Sequence, residues 1–161
     1  MKTLIYGYGN PGRQDDGLGN AVCQRLEAWV SENQLPGIEF DSNYQLNIED
    51  AAAIAEKDLV IFVDASDEKL DDFCFSRVDG STKVSFTTHA ASPGYIVQLC
   101  KELFGKEPLV LLLHIKGYEW AFREGLTEQA QNNLASALEQ LKRILTDPEN
   151  AVKSLDRLKI C

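Results

Sequence analysis

Long apolar runs are missing from this sequence. The longest, Pro108 to Leu113, falls far short of the ~20 residues that a helix needs to cross a bilayer. The amino-terminal Met1-Lys2-Thr3-Leu4-Ile5-Tyr6-Gly7 loses its apolar character at glycine and does not read as a signal peptide. No two of the four cysteines, Cys23, Cys74, Cys100 and Cys161, have Cys-x-x-Cys spacing, which excludes a zinc knuckle and a dithiol motif. Cys161 is the last residue, so it lacks the three residues that come after a prenylated cysteine. Reduced, mostly buried thiols in a cytoplasmic protein are the expectation. Basic residues are also scarce, with 16 Lys and Arg against 25 Asp and Glu and a net charge of −9. A nucleic-acid or anionic-membrane partner would want clustered cations, so neither is expected. Histidine occurs only at positions 89 and 114.

What is present is an alternation of strand and helix signals over a length suited to one domain, 161 residues. Thr3 to Tyr6 reads as a short buried strand ending at Gly7. Leu18, Val22, Leu26 and Trp29 recur at helical spacing, so a helix starts from about Asp16. Ile38 to Asp41 suits a second strand, and Asn47 can cap a short helix through Glu56. Leu59 to Val63 is apolar on both faces, as a covered central strand is, and it ends at Asp64. Val84 to Thr88 is a weaker strand ending at His89. Ser92-Pro93 opens a helix through about Phe104. Leu109 to Leu113 is a further buried strand running into His114, read as a core or near-core residue. Thr127 opens the last helix, with Ala130, Leu134, Ala137, Leu141 and Leu145 on one face. The pattern predicts an α/β fold of three layers, α/β/α, with helices on both faces of a mostly parallel sheet. One hydrolase-like domain is expected over residues 1–146, succeeded by a polar tail over 147–161.

Ligands of open α/β sheets bind beyond the carboxyl ends of the strands. Asp15 and Asp16 come after the first strand, Asp64 ends the central one and His89 ends the fourth. Two carboxylates and an imidazole form a mixed donor set that suits zinc or nickel and leaves room for metal-polarised hydrolysis. Each residue also has a plainer reading. A carboxylate after a strand is commonly a helix cap, and Asp15 is read that way. A lone histidine is commonly structural. Asp64 is harder to dismiss, because an unpaired carboxylate on an apolar strand end would be expensive to bury.

The loop Gly7-x-Gly9-x-x-Gly12 formally matches a dinucleotide fingerprint. Asp15 and Asp16 lie near the helix start where a pyrophosphate would sit, and they would repel it. The same loop is similar to the Gly-x-Gly-Asn-Pro-Gly opening of bacterial peptidyl-tRNA hydrolase. Here no histidine appears about ten residues on, and a basic face is lacking.

Together with the acidic pair and the helix start beyond it, the loop resembles the signature of the nickel-iron hydrogenase maturation endopeptidases. The residues that carry the likeness are Gly7-Tyr8-Gly9-Asn10, Asp15-Asp16-Gly17-Leu18-Gly19, Val63-Asp64-Ala65 and His89-Ala-Ala-Ser-Pro93. It returns more loosely at Gly125-Leu126-Thr127. The resemblance implies a twisted, mixed five-stranded sheet between helices. It implies a protease that removes a short C-terminal extension from a hydrogenase large-subunit precursor after nickel insertion; with no localisation signal in the sequence, a cytoplasmic protein is expected, and a monomer. It carries the metal-binding and catalytic roles to Asp16, Asp64 and His89. The nickel is that of the precursor, with zinc or cadmium able to substitute in vitro. Gly9, Asn10 and Asp41 are expected to contact the substrate. A peptidyl-tRNA hydrolase-like esterase and a non-catalytic chaperone that docks on the precursor are the alternatives. The stretch Gly117 to Phe122 is more aromatic than its family counterpart, which suggests a reshaped substrate groove.

Overall fold

The computed structural model describes residues 1–80 and 91–161. The expected strand over 84–88 and the candidate ligand His89 lie outside the described residues. Among those described, five strands form one sheet in the order β2-β1-β3-β5-β4. They are β1 (Thr3–Tyr8), β2 (Ile38–Asn43), β3 (Leu59–Ser66), β4 (Phe73–Val78) and β5 (Leu109–Lys116). β2, β1, β3 and β5 run parallel, and β4 closes one edge antiparallel to β5. The sheet is therefore mixed and mostly parallel, as expected.

Side-chain alternation along the strands divides the core in two. Ile5, Ile61, Val63, Leu111 and Leu113 face α1 (Leu18–Glu32) and α4 (Glu128–Thr146). Leu4, Tyr6, Val60, Phe62 and Val110 face α2 (Asp50–Ala55) and α3 (Pro93–Phe104). β3 contributes to both, so its unbroken apolar run is that of a strand covered twice. The face read for the last helix is the one it buries: Ala130, Leu134, Ala137 and Leu141 are fully enclosed. Each enclosed leucine contributes about 1.5–3 kcal/mol of burial. Ser92 caps α3 by accepting the Tyr95 N–H at 3.2 Å, and Thr127 caps α4 through the Ala130 N–H at 3.2 Å.

Several boundaries and one element differ from the sequence reading. β1 does not stop at Gly7 but runs on to Tyr8. A side chain at Gly7 would meet the Gly19 carbonyl at 2.0 Å, so this glycine lets the strand continue beneath the start of α1. Asn47 does not cap α2 with its side chain. Instead the Asp50 carboxylate accepts the Asn47 N–H at 2.8 Å and the Tyr6 hydroxyl at 2.9 Å. β4 is an element that the sequence reading lacks. Its signal is the period-two spacing of Phe73 and Phe75, which both face the α1/α4 side.

Residues 147–161 hold more structure than a polar tail. Pro148–Lys153 form α5, and Ala151, Val152, Leu155 and Leu158 pack against the α1/α4 core. The chain end then runs beside β4. The Phe75 N–H donates to the Lys159 carbonyl at 2.7 Å, and the Cys161 N–H donates to the Phe75 carbonyl at 2.9 Å. Cys161 is disulfide-bonded to Cys74, with their Cα atoms 4.9 Å apart. This corrects the expectation of four reduced thiols. Cys23 and Cys100 are free and buried as expected, but the pairing of the other two depends on an unforeseen strand and a folded-back tail. Among the described residues no helix is long and apolar enough to cross a membrane.

Candidate functional site

The site is built on the loop between β1 and α1. Gly9 has φ +142°, and a Cβ there would lie 2.1 Å from the Asp16 carbonyl, so only glycine allows the loop to fold onto itself. The Gly9 N–H donates to the Asn43 carbonyl at 3.0 Å and fixes the loop to the end of β2. The Asn10 carboxamide oxygen accepts the Gly12 N–H at 2.8 Å, and the Asn10 N–H donates to Asp16 Oδ2 at 2.8 Å. Both Gly9 and Asn10 thus hold the shape of the loop that presents Asp16.

Asp64 does not end its strand as expected: it lies within β3, which runs two residues further to Ser66 beside β5. The Tyr8 phenol is its neighbour, near enough for each group to shift the titration of the other. Burial, and then the negative charge of Asp16, push the Asp64 carboxyl up to about 7. Burial, and then the charge of Asp64, drive the Tyr8 phenol well above its ordinary 10. The sequence reading does not single out Tyr8; its alternation with Tyr6 along β1 is the signal that places it on this face. The structure thus brings Asp16, on the loop after β1, and Asp64, within β3, into electrostatic contact. A cation between them would offset their repulsion and favour the ionised form of Asp64. His89 lies outside the described residues, and among the rest no cluster of three or more His, Cys, Asp or Glu side chains could hold a metal ion.

Asp15 does not cap the helix it precedes. It is completely buried, and its carboxylate accepts four hydrogen bonds across the molecule. The donors are the N–H groups of Tyr118 (2.8 Å), Glu119 (3.1 Å) and Thr127 (2.8 Å) and the Thr127 hydroxyl (2.8 Å). Such a charge is tolerated because its lone pairs are satisfied. Asp15 therefore fastens the β5–α4 connection to the loop that carries Asp16.

Asp41 sits within β2, not at its end, and its carboxylate accepts the N–H of Ser42 at 2.8 Å. It lines a groove of about 580 Å³ with Cys23, Gln24 and Phe40, whose lining includes neither Asp16 nor Asp64. His114 is level with Asp64 in the β3–β5 register and half-buried, and its Nε2 lies 2.8 Å from Ser76 Oγ. Burial raises both free thiols, Cys23 to about 11, so neither supplies a thiolate near neutral pH.

No family model matches the sequence, and no curated protein does. Solved structures do match. The NiFe hydrogenase maturation protease HycI from Thermococcus kodakarensis KOD1 superposes with a TM-score of 0.69 at 23% identity, over 91% of this chain and 93% of its own. The hydrogenase maturating endopeptidase HybD from E. coli gives 0.68 at 20% identity, over 92% and 94%. The endopeptidase HycI from Escherichia coli gives 0.66 at 19% identity, over 89% and 91%. The chain has the fold of the hydrogenase maturation proteases. The likeness first drawn from the glycine loop is upheld at the level of the fold, and it extends over nearly the whole chain.

Proposed function

We propose that this chain is an endopeptidase that removes a short C-terminal extension from the large-subunit precursor of a nickel-iron hydrogenase after nickel insertion. The observation that carries this reading is the neighbouring Asp16 and Asp64 carboxylates in a maturation-protease fold. Asp16, Asp64 and His89 would take hold of the nickel that the precursor brings, as oxygen and nitrogen donors suited to that ion. Nickel bound there can polarise a carbonyl or a water near the scissile bond. Tyr8 is the neighbour of Asp64 on the β1 side of the site. The Gly9–Gly12 loop and Asn10 orient the extension, with Asp41 as a more distant contact. The same reading takes the protein as a cytoplasmic monomer.

A cleavage assay on nickel-loaded precursor tests the proposal. The parent chain releases the extension, and Asp16→Ala, Asp64→Ala and His89→Ala each slow release by about 100-fold or more, the scale that metal positioning supplies. Full activity in all three variants would sink the site. Precursor binding without release by the parent would instead point to a chaperone. Zinc or cadmium stands in for nickel on the free protein, so a cadmium-soaked crystal should show density between the three side chains. A thiol-directed reagent should leave cleavage unchanged, since neither free cysteine is available as a thiolate.

A further inference from the structure

Arg13 stands three residues before Asp16 and is half-buried. Its Nε is buried without a hydrogen-bond partner, and among the described residues its guanidinium joins no ion pair. Residues 81–90 contain no Asp or Glu, so no acidic partner can come from them. In a chain with 25 acidic residues, an unpaired guanidinium on the loop that carries Asp16 is out of keeping. It lies over the Phe122 ring, whose centroid is 5.1 Å from Cζ. Phe122 is itself 86% exposed, the most exposed large apolar side chain described.

The neighbouring loops hold the pair together. Gln14, next to Arg13, accepts the Ala121 N–H at 3.2 Å through its side chain and donates its own N–H to the Arg123 carbonyl at 2.8 Å. Those two residues flank Phe122. Gln14 adopts φ +46°, which costs a non-glycine residue free energy that the surrounding bonds must offset. The Asp15 bonds fix the same connection from the other side. A planar cation lying on an exposed aromatic ring, fixed in advance and lacking an anion, is arranged to receive a carboxylate.

We propose that Arg13, seated on Phe122, recognises a carboxylate on the peptide segment processed at the Asp16–Asp64 centre. This rests on the endopeptidase reading. A carboxylate nearing that centre meets Asp16 and Asp64, and Arg13 is the one cation that the sequence of the Asp16 loop, residues 9–17, can set against that repulsion. The carboxylate is either a side chain of the extension or the terminal carboxylate of the precursor.

Calorimetric binding of synthetic peptides tests it independently of turnover. The probes end in the C-terminal extension of a hydrogenase large-subunit precursor. One has free carboxylates, one has its Asp and Glu changed to Asn and Gln, one has an amidated C-terminus and one has both changes. The parent protein should bind the free peptide about tenfold or more tightly than the doubly neutral one. The singly neutral peptides tell which carboxylate is read. Arg13→Gln should bind all four alike, with Arg13→Lys intermediate and Phe122→Ala weakened. In the cleavage assay Arg13→Gln should raise KM by the same factor while kcat stays within about twofold. Equal discrimination by parent and Arg13→Gln, at matched melting temperatures, would overturn the inference, as would failure of the parent to favour the free peptide. Carboxylate-dependent binding without any cleavage by the parent would remove the endopeptidase reading alone.

Discussion

Asp15 and Asp16 are neighbours of the same chemistry with opposite duties. Asp16 is presented toward Asp64, whereas Asp15 is enclosed and joined to four donors. A simple cap lost at Asp15 would cost about 1 kcal/mol. Removing the enclosed acceptor of four hydrogen bonds should cost Asp15→Ala about 3 kcal/mol, with Asp15→Asn between the two, as read from urea melts. A loss of only about 1 kcal/mol would restore the cap reading. Nothing in the Asp15-Asp16 pair itself distinguishes the two, because the donors to Asp15 lie 103 to 112 residues further along the chain. Asp64 was legible because an apolar run ending in a carboxylate has few structural excuses. His114 carries a second prediction. Burial lowers its pKa below 6.5, so the unfolded chain takes up a proton there before the folded one does. The contribution of this group to stability is complete above about pH 6.5 and falls as pH drops toward the lowered native value. The parent should therefore lose more melting temperature between neutral pH and that range than His114→Gln, which keeps a partner for Ser76. Equal losses would assign no role to this imidazole.

At the scale of elements, the helices and buried parallel strands were legible because their signals are local. Ser92-Pro93 and Thr127 mark helix starts, and Leu59 to Val63 and Leu109 to Leu113 are runs that need two covered faces. β4 and the returning chain end were not, because their pairing is a long-range property. Phe75 meets Lys159 and Cys161 from far along the chain, and no local pattern announces the meeting. The chain end is thus an added layer on the edge strand, fastened by the Lys159–Asp72 ion pair and by the Cys74–Cys161 bond. Cys161→Ser should cost about 2–4 kcal/mol, the usual worth of a disulfide closing a long loop. Reductant should lower the parent to the same melting temperature and leave Cys161→Ser unmoved. No difference between the two in the absence of reductant would show that the backbone pairing alone secures the edge.

Over the whole molecule, the candidate site gathers at one rim of the sheet, and the loops there are tied to each other. The β1–α1 loop bonds to β2 through Asn43 and to the β5–α4 connection through Gln14 and Asp15. A substitution in the 117–127 segment should therefore disturb Asp16 without touching it. The union of Cys74 with Cys161 has a different kind of consequence, one of connectivity. It turns the carboxyl-terminal half into a covalent ring spanning a separation of 87 residues, with the amino-terminal part hanging from it as a single strand of chain. A protease that nicks the backbone once inside the ring frees no fragment, and one that nicks outside it does. The same digest run on gels with and without reductant would map every cut to one side of position 74 or the other.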